Sequence, residues 1–397
     1  MNILIYEPYL SVISGNTRTI QALSGGLEKS SYKIILAVPI HGPFSQFFNS
    51  MGVKCEVIEA PEVLKKYGRQ LLANGVVGKL RTIIGLVSYT QNLFRFIRKN
   101  KINENKINVI QCNSLRSILT IGFAAKLARV RTLLYVNTQN QHKLLTTVGF
   151  MLADMIAFQC EELKNNTKYF YPSCHKRKFR ILKNSIDLNE IIKAENSDKS
   201  KLKLELNVQD GFCNICCASR IVPDKGLEYL LESFSQVLGE GYKCKLYLVG
   251  DIEGELYAEY KDSLIKLVDK LGVGSHVIFT GFRKDVLEVL SLMDAYVLPS
   301  LLEGVSKSVM EAMALGKPVV CTDVGGMSSI VKNNDTGFLV SPRDVLELKQ
   351  AMVKLVDNKE LRKKLGQAAK AKMFAEHSFE QHVQGLKTFY EELSLSK

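Results

Sequence analysis

Two glutamates separated by seven residues, Glu303 and Glu311, stand in the run Ser300-Leu301-Leu302-Glu303-Gly304-Val305-Ser306-Lys307-Ser308-Val309-Met310-Glu311-Ala312-Met313. Carboxylates accept hydrogen bonds in pairs, so two of them near a cleft can hold vicinal hydroxyl groups. Gly304 permits close backbone approach or a positive φ, and the amides of Val305 and Ser306 could point at an anion near a helix N-terminus. A glutamate early in a helix also simply favours the dipole, and a bare Glu-x7-Glu recurs by chance. It is the whole string that carries the signal. A second cluster, Cys213, Cys216 and Cys217, has only Cys244 as a nearby fourth ligand and no histidine. A zinc site needs a better second pair, and in an apolar run cysteine reads as a small buried residue, so no metal is expected.

These residues need elements to hold them. In the first half, short apolar runs at residues 2–7, 33–39, 52–58, 107–111 and 132–136 read as strands. Helical stretches at 17–29 and 118–129 lie among them. The second half repeats the alternation, with strands at 212–218, 245–249, 276–280, 295–299 and 318–322 and helices at 227–238, 285–292 and 308–315. A long helical region from 345 onward is interrupted near 376–378. Buried strands alternating with helices predict parallel sheets covered on both faces. The polar stretch 184–200 reads as the linker. The expected domains are 1–188 and 189–374, with 375–397 a C-terminal helix packing back on the first domain. Two such domains facing each other place ligands at strand ends along the cleft between them.

Composition bounds the partners. The chain has 397 residues, 46% of them hydrophobic and 23% charged, as in soluble two-domain proteins. Its net charge of +13 favours polyanionic partners: nucleic acid, anionic lipid or phosphorylated substrates. The N-terminus reads as a strand instead of a signal peptide, and no apolar run is long enough to span a membrane. With nine scattered cysteines, a cytoplasmic location follows. No helix-turn-helix, zinc-finger or RNA-binding signature supports nucleic acid as a partner.

The string from Ser300 to Pro318, continued by Val319-Val320-Cys321-Thr322-Asp323-Val324-Gly325-Gly326, resembles the donor-binding signature of family 4 glycosyltransferases. These are retaining enzymes of the GT-B fold, with two Rossmann-like doubly wound α/β domains facing across a cleft. Upstream, Ala218-Ser219-Arg220-Ile221-Val222-Pro223-Asp224-Lys225-Gly226 is similar to their diphosphate motif. Leu248-Val249-Gly250-Asp251 and Phe279-Thr280-Gly281-Phe282 are similar to their next strand ends, and 178–187 to the segment closing the first domain.

The resemblance implies that Arg220 and Lys225 bind the donor diphosphate and stabilise it as it leaves. Glu311 would take the ribose hydroxyls, Glu303 those of the transferred sugar, and Phe282 and its neighbours would present backbone groups to the base. Gly250, Gly304, Val305 and Ser306 complete the donor set. No Asp-x-Asp motif occurs, which fits a metal-independent site with no cofactor beyond a nucleotide-diphosphate sugar, a UDP-sugar by preference. The implied activity is hexosyl transfer to a glycan or lipid-linked acceptor in bacterial surface polysaccharide or glycoconjugate synthesis.

The chain departs from the family pattern in three places. The first-strand loop keeps one glycine, Gly15; Asn137 stands where a histidine often touches the donor sugar; and Ser328-Ser329 replace Pro-Glu. Asparagine can donate to a hydroxyl but cannot act as a base near neutral pH. An epimerase or phosphorylase of the same fold, or a catalytically silent nucleotide-sugar binder, are the alternative readings. From Val63 to Lys101, cations such as Lys65, Arg69, Arg81, Arg95 and Arg98 alternate with apolar residues. This suits either an ordinary domain helix or peripheral attachment to an anionic membrane at its inner face.

Overall fold

A computed structural model describes residues 1–8, 20, 32–65, 76–102, 106–137, 143–167, 178–252 and 257–395. The chain divides into two compact units. The first comprises residues 1–159, 163–182 and 382–397; the second comprises 160–162 and 183–381.

Unit 1 is built on strands β1 (Asn2–Tyr6), β2 (Lys33–Val38), β3 (Lys54–Val57), β4 (Ile107–Cys112), β5 (Arg131–Val136), β6 (Met155–Phe158) and β7 (Phe179–Ile181). They form one sheet in the order β3-β2-β1-β4-β5-β6-β7, with every neighbouring pair parallel. Ile3, Leu4 and Ile5 are fully buried, because a parallel sheet has helices on both faces and no side for water. The described helices include α1 (Pro43–Ser50), α2 (Val76–Ile102), α3 (Leu115–Leu127) and α4 (Lys143–Leu152). Ser114 caps α3 by accepting from the amide of Ser117. The Tyr89 hydroxyl, on α2, donates to the carbonyl of Ile58 at 2.9 Å and lies 3.1 Å from the Tyr6 hydroxyl, which ties that helix to the sheet.

Unit 2 carries β8 (Cys213–Ala218), β9 (Cys244–Val249), β10 (Val277–Gly281), β11 (Ala295–Leu298), β12 (Val319–Thr322) and β13 (Gly337–Val340). Its order, β10-β9-β8-β11-β12-β13, is again all parallel. Its helices include α5 (Leu188–Asn196), α6 (Leu227–Gly239), α7 (Ala258–Leu271), α8 (Val286–Leu292), α9 (Lys307–Ala314), α10 (Val345–Asp357) and α11 (Lys359–Glu376). Helix α12 (Phe379–Leu395) follows, and from His382 onward it belongs to unit 1. There the Tyr390 hydroxyl donates to Gln111 Oε1.

Both sheets have the strand order of a doubly wound Rossmann domain, in which the first strand is central and the fourth lies beside it. The order reverses between β1 and β4 in unit 1 and between β8 and β11 in unit 2. Those two reversals are where a ligand at the carboxyl ends of the strands finds a crevice.

Several sequence expectations need correction. Residues 184–200 are no linker: Asp187 accepts from the amides of Asn189 and Glu190, and α5 follows with Ile191 and Ala194 buried. A polar composition concealed an apolar pair at helical spacing. The long run of unit 2 begins at Lys183, ahead of residue 189, and the C-terminal segment grouped with unit 1 begins at His382, not at 375. Strands β6, β7 and β13 were not foreseen, being four, three and four residues long. The C-terminal helical region has a second break at Asn358, whose side chain caps α11. The helix expected at 17–29 lies, apart from Ile20, outside the described residues.

Candidate active site

At the β8–β11 reversal of unit 2, two loops leave adjacent strands and pack on one another. After β8, the amide of Ser219 donates to Val249 O at 2.9 Å and that of Ile221 to Asp251 O at 3.1 Å. Buried Ile221 and Val222 anchor the loop while Arg220 projects exposed. Pro223–Lys225 then form a 3₁₀ turn closed by Gly226 at φ 59°. A Cβ at Gly226 would lie 2.5 Å from Pro299 O, so only glycine both takes that backbone conformation and admits the second loop. The carbonyl of Asp224 accepts from the amide of Leu301 at 2.7 Å, locking the two loops together.

Within this frame Lys225 and Glu303, far apart in sequence, meet. Lys225 Nζ donates to Glu303 Oε1, which also accepts from Ser300 Oγ at 3.1 Å. Their side chains are only 16% and 13% exposed, so the pair is held from both sides instead of floating in solvent. Gly325, at φ 61°, fits beneath Glu303; a Cβ there would stand 2.0 Å from the Glu303 carbonyl oxygen. The amide of Gly326 donates to Gly304 O at 2.8 Å.

A buried hydroxyl network supports both loops, and sequence reasoning did not find it. The Tyr296 side chain, on β11, is fully buried; its hydroxyl donates to Ala218 O at 3.0 Å and lies 2.7 Å from Ser308 Oγ. Ser308 Oγ is 3.2 Å from Ser306 Oγ at the N-cap of α9. Thr322 Oγ1, at the end of β12, donates to Ser300 O. One tyrosine thus joins the end of β8 to the start of α9. A tyrosine inside an otherwise apolar strand was the available signal, because a buried phenol finds a partner.

The remaining expected residues distribute as follows. Gly304, Val305 and Ser306 are buried in the loop between β11 and α9, and Glu311 is buried in the second turn of that helix. Gly250 follows β9, its amide donating to Gly281 O at 3.0 Å. Next to it a hydrogen bond from Lys261 Nζ at 2.7 Å holds the Asp251 carboxyl below its ordinary value. Phe282 follows β10 and is 48% exposed. Asn137 belongs to unit 1, half-buried just past β5. Gly15 lies outside the described residues.

The cysteine cluster is structural in its placement. Cys213, Cys216 and Cys217 lie buried on β8, and Cys213 is the register partner of Cys244 on β9. Burial pushes the thiols of Cys213, Cys217 and Cys244 up to about 12.

Two doubly wound parallel domains of this kind constitute a GT-B fold. The chain shares it with Anabaena Alr3699/HepE, solved in complex with UDP: TM-score 0.81 and 18% identity, over 99% of this chain and 100% of that one. Residues 198–372 match the family described as glycosyl transferases group 1. Alpha-D-kanosaminyltransferase of Streptomyces kanamyceticus is 27% identical over 206 residues, 51% of this chain and 52% of that protein. The capsular polysaccharide biosynthesis glycosyltransferase CapM of Staphylococcus aureus is 30% identical over 171 residues, 43% of each chain. The chain thus spans about half the length of the curated relatives it matches, and the family match at 198–372 includes Lys225 and Glu303.

Proposed function

We propose that the protein is a retaining, metal-independent glycosyltransferase of the hexosyltransferase type. It moves a sugar from a nucleotide-diphosphate donor to a glycan or lipid-linked acceptor in surface polysaccharide or glycoconjugate synthesis, on the cytoplasmic side of a membrane. The observation that carries this reading is the Lys225–Glu303 pair, steadied by Ser300 at the strand-order reversal of a group 1 domain. A UDP-sugar is the favoured donor, since Anabaena HepE of the same fold was solved with UDP. No further cofactor is invoked.

The chemistry follows from the charges. Cleaving the bond between sugar and diphosphate concentrates negative charge on the distal phosphate, and cations already in place stabilise it without reorganising. Arg220 offers a planar fork and Lys225 a point charge for that phosphate. Donor entry brings phosphate to Lys225 and sugar hydroxyls to Glu303, so the ligand shares or replaces the ion pair between them. Glu311 takes the ribose hydroxyls, and backbone groups near Phe282 face the base. Asn137, unable to act as a base, donates to a hydroxyl. The acceptor hydroxyl attacks from the face the diphosphate leaves: its oxygen bonds to the anomeric carbon as the bond to the phosphate oxygen breaks, and its proton passes to the departing diphosphate, so no protein nucleophile is required.

The test is a panel of nucleotide sugars with membrane extract, following nucleoside diphosphate release in the presence of a chelator. Release with one donor only, dependent on the extract, is the expected result. Interconversion of the donor without an acceptor, or tight donor binding with no turnover, would sink the proposal.

A further inference from the structure

Helices α2, α3 and α4 of unit 1 follow three successive crossovers in one direction along the sheet, from β3 to β4, β4 to β5 and β5 to β6. Right-handed crossovers therefore place all three on one face, and α3 packs against both others. Together they carry Lys or Arg at six positions on α2, two on α3 and one on α4, with no Asp or Glu on any of them. An ordinary solvated helix layer mixes both signs. This one does not.

The same layer exposes apolar surface. More than half of the large apolar side chains that stand exposed among the described residues belong to these three helices. Ile83, Ile84 and Val87 on α2 are 58%, 60% and 55% exposed, and Leu144 at the start of α4 is 75% exposed. Both groups lie toward the helix N-termini, the end of the unit where the carboxyl ends of the parallel strands emerge. Farther along α2, Arg95, Arg98 and Lys99 share one side of the helix and line a groove with Phe94 and Gln91.

We infer that this helical layer is a docking surface for an anionic lipid bilayer. Cations draw it to acidic headgroups, and the protruding aliphatic side chains enter the boundary between headgroups and acyl chains. A nucleic acid would use the cations but would leave Ile83, Ile84, Val87 and Leu144 in water. A second copy meeting this face with its own would oppose like charges. Charge and apolarity together fit the bilayer. The surface works whether or not the bound molecule transfers a sugar; for the proposed reaction it brings the strand ends of unit 1 to a lipid-linked acceptor.

The experiment is flotation of the full-length protein with phosphatidylcholine vesicles, with and without phosphatidylglycerol. The wild type is expected to float only with the anionic vesicles and to be released by salt. The triple variant Arg95→Gln/Arg98→Gln/Lys99→Gln should partition about a hundredfold more weakly at low salt, at about fivefold per cation. The variant Ile83→Ser/Ile84→Ser/Val87→Ser should also lose roughly tenfold or more, although its charge is unchanged. All three substituted side chains are exposed, so the fold should survive, with thermal unfolding as the control. Wild type that stays in the aqueous phase with anionic vesicles overturns the inference. So does flotation of the apolar variant equal to wild type, which would leave only a polyanion site, or strong dimerisation through this face on a sedimentation run. Because flotation reads no turnover, its failure leaves the proposed reaction standing, and loss of turnover alone leaves the docking surface standing.

Discussion

The reversal between β8 and β11 and the reversal between β1 and β4 have the same topology and different contents. In unit 2 the crevice end is lined by Lys225, Glu303 and Ser300, backed by Tyr296 and Thr322 in a chain of hydrogen bonds. In unit 1 the corresponding strand ends hold Glu7 and Asn113, both buried, with Gln111 Nε2 donating to Asn113 Oδ1 at 2.7 Å. In unit 1 the helices α2, α3 and α4 carry cations and no acidic residue. One fold thus arranges its charges in two ways: a small ion pair held between two loops of unit 2, and a helix layer of one sign in unit 1. Topology decides where a crevice forms, and the loop residues decide what it binds.

The difference breaks most readily at the preorganised pair. Glu303→Ala and Lys225→Ala are each expected to lower kcat by about a hundredfold to a thousandfold, the cost of removing one preorganised electrostatic group. Thermal unfolding of both should stay close to wild type. Because the side chains touch, the double variant should lose little more than either single one. Wild-type turnover in both single variants removes the site assignment altogether.

The next effect is on stability at high pH. Buried thiols of Cys213, Cys217 and Cys244 in unit 2 are held protonated, with values raised to about 12 from an ordinary value near 9. A raised value means the folded state keeps protons that the unfolded state releases. Their contribution is therefore intact below about pH 9 and is lost as pH rises toward 12, on the order of 2 kcal/mol per thiol by pH 11. Urea midpoints measured at pH 8 and pH 10.5 should fall, and the fall should shrink in Cys213→Ala/Cys217→Ala. A slope unchanged by that substitution would show that other groups dominate.

Tyr296→Phe probes the support beneath the pair. Removing the hydroxyl leaves Ala218 O without its donor and Ser308 without its neighbour, at a cost of about 1–2 kcal/mol. As a positioning residue, it should lower kcat several-fold with little change in donor KM, because the loop still binds but is less firmly held. A fall in stability with kcat intact would make the network purely structural.

Why this network escaped the sequence, while the glutamates did not, is a matter of physics. Glu303, Lys225 and Arg220 sit in continuous strings whose residue types and order resemble a known signature, so they can be read along the chain. Tyr296, Ser308 and Ala218 meet only because β11 lies between β8 and β12 in the sheet, which no local spacing encodes. The parallel alternation was legible for strands with five or six apolar residues, such as Cys213–Ala218. It was not for Phe179–Ile181, too short to show a period. Helix Leu188–Asn196 was hidden in turn by charged residues on its outer side. The unipolar helix layer was half visible: the cations of 63–101 stood out, but only the crossovers show that α3 and α4 extend the same face.

The smallest effect concerns the C-terminal helix. In unit 1, Arg180 on β7 forms an ion pair with Glu392 on α12, both side chains partly exposed at 31% and 43%. Nearby, Tyr390 is fully buried with its hydroxyl on Gln111. Water competes for the first contact and not for the second. Glu392→Gln should therefore cost less than about 1 kcal/mol, and that cost should vanish in high salt. Tyr390→Phe should cost about 1–3 kcal/mol at any salt, since it leaves Gln111 Oε1 without a donor in the interior. Urea titrations of both variants at low and high salt make the comparison. If Glu392→Gln proves the costlier change, α12 is held by charge and not by burial, and unit 1 relies on electrostatics inside its fold as well as on its surface.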